Sequence, residues 1–203
     1  MENVFIINGG QKFAHAKGKF NRTITDVTAS FFTEIEGCNV IVTHTDEPYD
    51  PEDEVDKFID ADIIIYHTPI YWFQLPHGLK KYFDVVFREG HYNGIWTNDG
   101  RSSKNPEINY GTGGLLTDKK YMLTTSWNAP KGAFTIPDEF FMQKGVDEGP
   151  MFGFHRMNAY LGMEKLESFH FHDIVKNGEM ETFKKEYKIH LKHTFAAQHA
   201  AIS

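Results

Sequence analysis

Short apolar runs alternate with segments of helical period along nearly the whole chain. Val4–Phe5–Ile6–Ile7 reads as a buried strand. Phe20, Ile24, Val27, Phe31 and Ile35 then recur at helical spacing, giving the next segment an apolar stripe. Gly37 supplies a stop, and Cys38–Val42 a second strand. Val55, Phe58 and Ile59 mark a short helix after the Pro48–Pro51 turn. Ile63–Ile64–Ile65–Tyr66 is apolar on both faces, as a central parallel strand should be. Leu75, Leu79, Tyr82, Phe83 and Val86 predict a third helix with Pro76 near its first turn. A polar stretch from Glu89 to Asp118 breaks the rhythm before a fourth strand, Tyr121–Thr125. Another irregular stretch runs to Gly149. A helix with Met157 and Leu161, a strand at Phe169–Phe171 and a final helix stepping through Phe183, Tyr187, Leu191 and Phe195 complete the pattern. Repeated strand–helix units predict one α/β domain over residues 1–203: a five-stranded parallel sheet in the order 2-1-3-4-5, with helices on both faces.

Composition narrows the function. The chain has 203 residues, 40% hydrophobic and 24% charged, as a soluble domain should be. The formal net charge of −7 disfavours a general nucleic-acid binder, which needs concentrated Lys and Arg. A lone cysteine, Cys38, excludes an internal disulfide, and the first apolar run is too short for a leader or a membrane span. The expectation is a cytoplasmic protein with no integral membrane segment. Phe169-His170-Phe171-His172-Asp173 puts two histidines on one strand face, but no third metal ligand is identifiable. The acidic run from Asp46 to Asp56 reads as a solvated face.

In such sheets ligands bind beyond the carboxyl ends of the strands, at the switch point. Three loops there are unusual. After strand one, Gly9 to Asn21 is glycine- and lysine-rich and enters a helix whose free N–H groups would suit a phosphate. It matches neither GxGxxG nor the P-loop, and a plain glycine turn with solvated lysines is the competing reading. After strand three, Tyr71-Trp72-Phe73 cannot all face the core, and a flat ligand ring would use them. A hydrophobic plug or dimer contact is the alternative. After strand four, Ser126-Trp127-Asn128-Ala129 sets polar groups beside a tryptophan. These suit the edge of a flavin where charge gathers on reduction, or else Trp127 is structural under a turn.

The run Pro69-Ile70-Tyr71-Trp72-Phe73-Gln74-Leu75-Pro76, followed by Leu79-Lys80-Lys81-Tyr82-Phe83-Asp84, resembles the flavin loop and helix of the two-electron NAD(P)H:quinone reductases. Asn8-Gly9, Phe13-Ala14-His15, Asp99-Gly100-Arg101, Tyr110-Gly111-Thr112-Gly113-Gly114, Lys119 to Met122 and Trp127-Asn128-Ala129-Pro130 narrow the resemblance to the bacterial modulator of drug activity B branch. It runs from residue 3 to about residue 190. It implies a flavodoxin-like fold, bound FAD rather than FMN, NADPH as hydride donor, quinone-type acceptors and a homodimer. His15, Ala16, Gly18, Phe20, Asn21, Arg22 and Thr23 would hold the FAD phosphates and adenosine. Pro69, Ile70, Tyr71, Trp72 and Phe73 would line the isoalloxazine, and Ser126, Trp127, Asn128 and Ala129 its other edge. Tyr110 would approach the cofactor from the long loop and is the candidate for assisting proton movement. Ile70-Tyr71 stands where that branch carries Gly-Trp, which alters the wall of the ring site. An FMN-dependent azo- or nitroreductase and a flavodoxin-like electron carrier are the alternatives on the same fold.

Overall fold

The computed structural model describes residues 2–13 and 16–199; His15 lies outside the described residues. In chain order the elements are β1 (Glu2–Asn8), a small antiparallel hairpin of β2 (Lys12–Phe13) and β3 (Ala16–Lys17), α1 (Lys19–Thr33), β4 (Cys38–His44), α2 (Pro51–Asp60), β5 (Ile63–Pro69), α3 (His77–Glu89) and β6 (Lys120–Ser126). Then come α4 (Gly132–Thr135), α5 (Phe152–Tyr160), β7 (Glu164–Lys165), β8 (Phe169–Phe171) and α6 (Met180–His199). The main sheet runs β4-β1-β5-β6, with β7 and β8 both pairing the outer edge of β6 in parallel. That is the predicted order, with the fifth position shared by two short strands where the sequence suggested one.

Alternation along the strands builds two cores. Phe5, Ile7, Ile64, Tyr66, Tyr121 and Leu123 face α2, α3 and α5. Val4, Ile6, Ile63, Ile65 and Met122 face α1 and α6. All seven residues of β5 are buried, as the sequence pattern demanded of a central strand. The register sets Asn8 opposite His67, and Pro69 opposite Ser126, so the strands end at one level.

Local chemistry fixes the element ends. The Asp50 side chain accepts from the backbone N–H groups of Glu52 and Asp53, with Pro51 in the first turn of α2. The third helix starts two residues after Leu75, where its apolar period began: Pro76, near the first turn as expected, has ψ 145° and sits at the N-cap. The acidic run is not wholly a solvated face either. Glu54 is buried, accepting from Tyr82 Oη at 2.6 Å, Thr43 Oγ1 at 3.0 Å and Lys57 Nζ at 2.5 Å. A buried carboxylate is tolerable only when so satisfied.

The long loop between α3 and β6 is anchored at its base. Ile95 and Leu116 are buried, and Trp96 Nε1 donates to the carbonyl of Phe87 at 2.7 Å. Its tip, residues 101–110, is exposed throughout. No helix among the described residues is long and apolar enough to cross a membrane.

Candidate functional site

The first, third and fourth parallel strands deliver their following loops to one sheet end. At the end of β1, the Asn8 side chain accepts from the N–H of Gly10 at 2.9 Å and turns the chain sharply. A Cβ on Gly10 would lie 2.9 Å from both Asn8 Oδ1 and Asn21 Cβ, so only glycine passes there. Gln11, buried, locks this loop to α3: its Oε1 accepts from the N–H of Gly78 at 3.0 Å. The loop then enters α1 through Gly18, left-handed at φ 68°.

The start of α1 has no side-chain cap and no acidic residue in its first turn. Among the described residues no side chain caps its leading N–H groups, the helix dipole favours an anion there, and Lys17 and Lys19 flank it exposed. Asn21 is buried and donates from Nδ2 to Ser126 Oγ at 3.1 Å, joining this helix start to the end of β6. The sequence pairs no signal for that bond, since its partners lie 105 residues apart. Arg22 sits on the neighbouring turn, but its guanidinium is engaged by Asp46 at 2.8 Å and Glu47 at 2.9 Å. Thr23 is half-buried. Phe20, half-buried, packs edge-on against Phe171 and Phe183 at the margin of the second core.

The loop after β5 presents its aromatics outward. Pro69 is buried at the strand end, and Ile70 N–H donates to the carbonyl of Ser126 at 3.1 Å. Tyr71 and Gln74 exchange backbone bonds of 3.0 Å in each direction and close a tight turn. Inside it, Trp72 at φ 49° and Phe73 at φ 65° are both left-handed, a conformation that L side chains rarely hold. Trp72 is 90% exposed, and Tyr71 stands 5.7 Å from Phe13 across the cleft mouth. An indole and a phenyl pushed into water on strained backbone are what a ring-binding surface needs, and packing does not demand them. The uncapped helix start and this aromatic loop together fit a phosphorylated cofactor with a planar ring.

The loop after β6 divides. Ser126 faces Asn21, and Asn128 is exposed. Trp127 is 3% exposed, its Nε1 donating to Thr125 Oγ1 at 2.7 Å, its N–H to the carbonyl of Phe171, and its carbonyl accepting from Ile174. Every polar group of Trp127 is therefore spent inside the fold. Tyr110 is 70% exposed on the long loop, with Tyr160 and the Arg101 guanidinium as its ring neighbours rather than the 69–73 loop.

The family profile of the flavodoxin-like fold matches residues 2–193. The NADPH:quinone oxidoreductase MdaB of Haemophilus influenzae is 40% identical over 193 residues, covering 95% of this chain and 99% of that protein. The chain belongs to the MdaB family. Another relative, an uncharacterized protein of Schizosaccharomyces pombe, is 43% identical over 197 residues, covering 97% of this chain and 99% of its own. Among solved structures, the general stress protein 14 of Treponema denticola in complex with FMN superposes with a TM-score of 0.58 at 18% identity. It covers 98% of this chain and 99% of that one, a likeness of fold.

Within this MdaB-family chain two features near the site escaped the sequence pattern. One is the Gln11–Gly78 lock. The other is the segment 136–150, which lays Phe140 and Phe141 against Phe73. The adjacent aromatic pair was the only signal for it, in a stretch with no period to interpret.

Proposed function

We propose that the chain is an FAD-dependent NADPH:quinone oxidoreductase that works as a cytoplasmic homodimer. As a member of the MdaB family it is a flavin-dependent oxidoreductase of quinones. The supporting observation is the pairing at one sheet end of an uncapped helix start with an outward aromatic loop, joined through Asn21 and Ser126. Bound FAD supplies the capacity to take hydride from NADPH and return it to an acceptor.

The residues do the positioning. The N–H groups at the start of α1 hold the phosphates, with Gly18 opening the approach and Lys17 and Lys19 adding charge. Tyr71, Trp72 and Phe73 give the ring its packing surface and exclude water from one face. Asn128 offers an amide where negative charge grows on reduction, an interaction worth most after hydride transfer. Arg22 steers the adenosine end only by leaving Asp46 or Glu47.

Tyr110 reaches the site across the homodimer, because within its own chain it stands with Tyr160 and Arg101. The surface to bury is an apolar groove of about 1260 Å³ between α3 and α5, walled by Phe83, Phe87, Trp96, Met157 and Tyr160. Two-fold pairing is the commonest closed arrangement and gives two equivalent sites.

Purified protein should be yellow, release FAD on denaturation, and oxidise NADPH when a quinone is supplied. Release of FMN alone would favour the azoreductase-like reading, which the FMN complex of the Treponema denticola neighbour keeps in view. A colourless protein that neither flavin reconstitutes would refute both.

A further inference from the structure

Between α4 and α5 the chain crosses the aromatic loop as a strap, residues 136–150. Its inner side is fixed. The Phe141 ring stacks on Phe134 at 3.9 Å and 5°, and stands edge-on to Trp127 at 5.9 Å. Its far end is tethered by Asp147, whose Oδ1 accepts from His155 Nε2 at 2.8 Å and His170 Nε2 at 3.1 Å. Oδ2 pairs with Lys165. Its outer side leaves three large apolar side chains in water among exposed polar ones: Ile136 is 53%, Phe140 67% and Met142 77% exposed.

Phe140 meets the candidate ring site directly. Its ring lies 5.2 Å from that of Phe73 at an interplanar angle of 25°, near parallel. Among the described residues eight non-glycine positions have positive φ, and five sit on these two touching segments: Trp72 and Phe73 on one, Asp138, Met142 and Gln143 on the other. Strain concentrated at one junction, with large apolar rings left in water beside it, points to a binding surface rather than to core packing.

We propose that Phe140 is the acceptor-side wall of this site and sets a preference for fused two-ring planar acceptors over single-ring ones. The inference rests on the oxidoreductase reading above. A two-ring acceptor laid on the outer face of the flavin that residues 71–73 hold gains that surface first, and is wide enough to reach the strap for a second aromatic contact. A single ring gains the first surface alone. The Asp147 tether keeps the wall in place before the acceptor arrives, so little ordering cost offsets that contact.

The test uses flavin-replete protein, Phe140→Ala and Phe140→Tyr. Equilibrium binding of a naphthoquinone and a benzoquinone to the oxidised protein is measured by calorimetry, alongside kcat/KM for each. Phe140→Ala should weaken the naphthoquinone in both measurements by roughly five- to tenfold, the size of one aromatic contact, and the benzoquinone by less than about twofold. Phe140→Tyr should restore the preference, since only the ring face is used. An unchanged naphthoquinone-to-benzoquinone ratio in flavin-replete, active Phe140→Ala removes the wall and leaves the oxidoreductase reading standing. A wild-type protein that holds no flavin and reduces no quinone overturns both.

Discussion

Trp72 and Trp127 follow neighbouring strands at the same end of the sheet, and the structure treats them oppositely. Trp127 is 3% exposed, with its indole N–H on Thr125 and its ring edge-on to Phe134 and Phe141. Trp72 is 90% exposed on left-handed backbone. Residue type and position in the topology are shared, so neither explains the difference. What separates them is the element that follows. After β6 the chain turns under α4 and the strap, which bring Phe134 and Phe141 to cover the indole. After β5 the Tyr71–Gln74 turn closes within four residues, too tight to fold a side chain back beneath itself. One tryptophan holds the platform and the other is offered to whatever binds on it.

The largest effect should come from the covered ring. Trp127→Ala removes a buried aromatic and one of the two partners of Thr125 Oγ1, which keeps His170 Nδ1 at 2.7 Å, so it should destabilise the fold by about 3–5 kcal/mol. Thermal or urea unfolding of flavin-free protein measures this. A loss near zero would mean that the indole is dispensable to the platform and erase the contrast with Trp72.

A smaller effect belongs to the tether, and it carries a pH signature. Burial alone would raise the pKa of Asp147, but hydrogen bonds from His155, His170 and Lys165 hold it well below the usual carboxylate range. A depressed carboxylate stabilises the fold above its unfolded pKa of about 4 and loses that contribution as pH falls further. Asp147→Asn should therefore cost roughly 2–3 kcal/mol at neutral pH, with the gap to wild type closing below about pH 4. His67 acts in a different window. Burial holds its pKa down at about 3, between Thr28 at 3.0 Å and Thr124 at 2.6 Å. The unfolded chain binds a proton there from about pH 6.5 downward while the folded chain does not. His67 alone should then cost both proteins about 1.4 kcal/mol of stability per pH unit between pH 6.5 and 4, and His172, held down at about 4 by burial, adds to that loss. Acid titrations of the two separate the windows: a gap that already narrows at pH 6 would overturn the assignment to the carboxylate.

The strands were legible because a parallel sheet leaves a periodic trace: Val4–Ile7 and Ile63–Tyr66 are apolar wherever both faces are covered. The loop clusters were legible as places, because strand order alone brings them to one end. Side-chain roles were not. Arg22 reads as a phosphate ligand in a sequence that gives no sign that Asp46 and Glu47, in the turn after β4 and 24 and 25 residues away, engage its guanidinium. Glu54 sits among acids that are mostly exposed, and only the approach of Tyr82 from α3 shows that it is buried. Asp147 has no local partner at all; its nearest-in-sequence donor, His155, is eight residues on and across a helix start.

The smallest effect on the fold should come from the exposed ring, and it sharpens the contrast with Trp127 most. Trp72 covers almost nothing in the protein alone, so Trp72→Ala should change the stability of flavin-free protein by no more than about 0.5 kcal/mol, as an ordinary surface substitution does. Left-handed backbone is uncomfortable for tryptophan and alanine alike, so the strain at φ 49° largely cancels in the comparison. Flavin retention should behave differently. If the indole packs on the bound ring, the variant should release flavin more readily on dilution, by roughly three- to tenfold in dissociation constant. The two measurements are made on one preparation, flavin-free and reconstituted. Unchanged stability with unchanged retention would leave Trp72 a bare surface residue and return the ring-packing role to Tyr71 and Phe73. Reduced stability without flavin would mean that Trp72 is already covered in the free protein, and its likeness to Trp127 would then outweigh the difference.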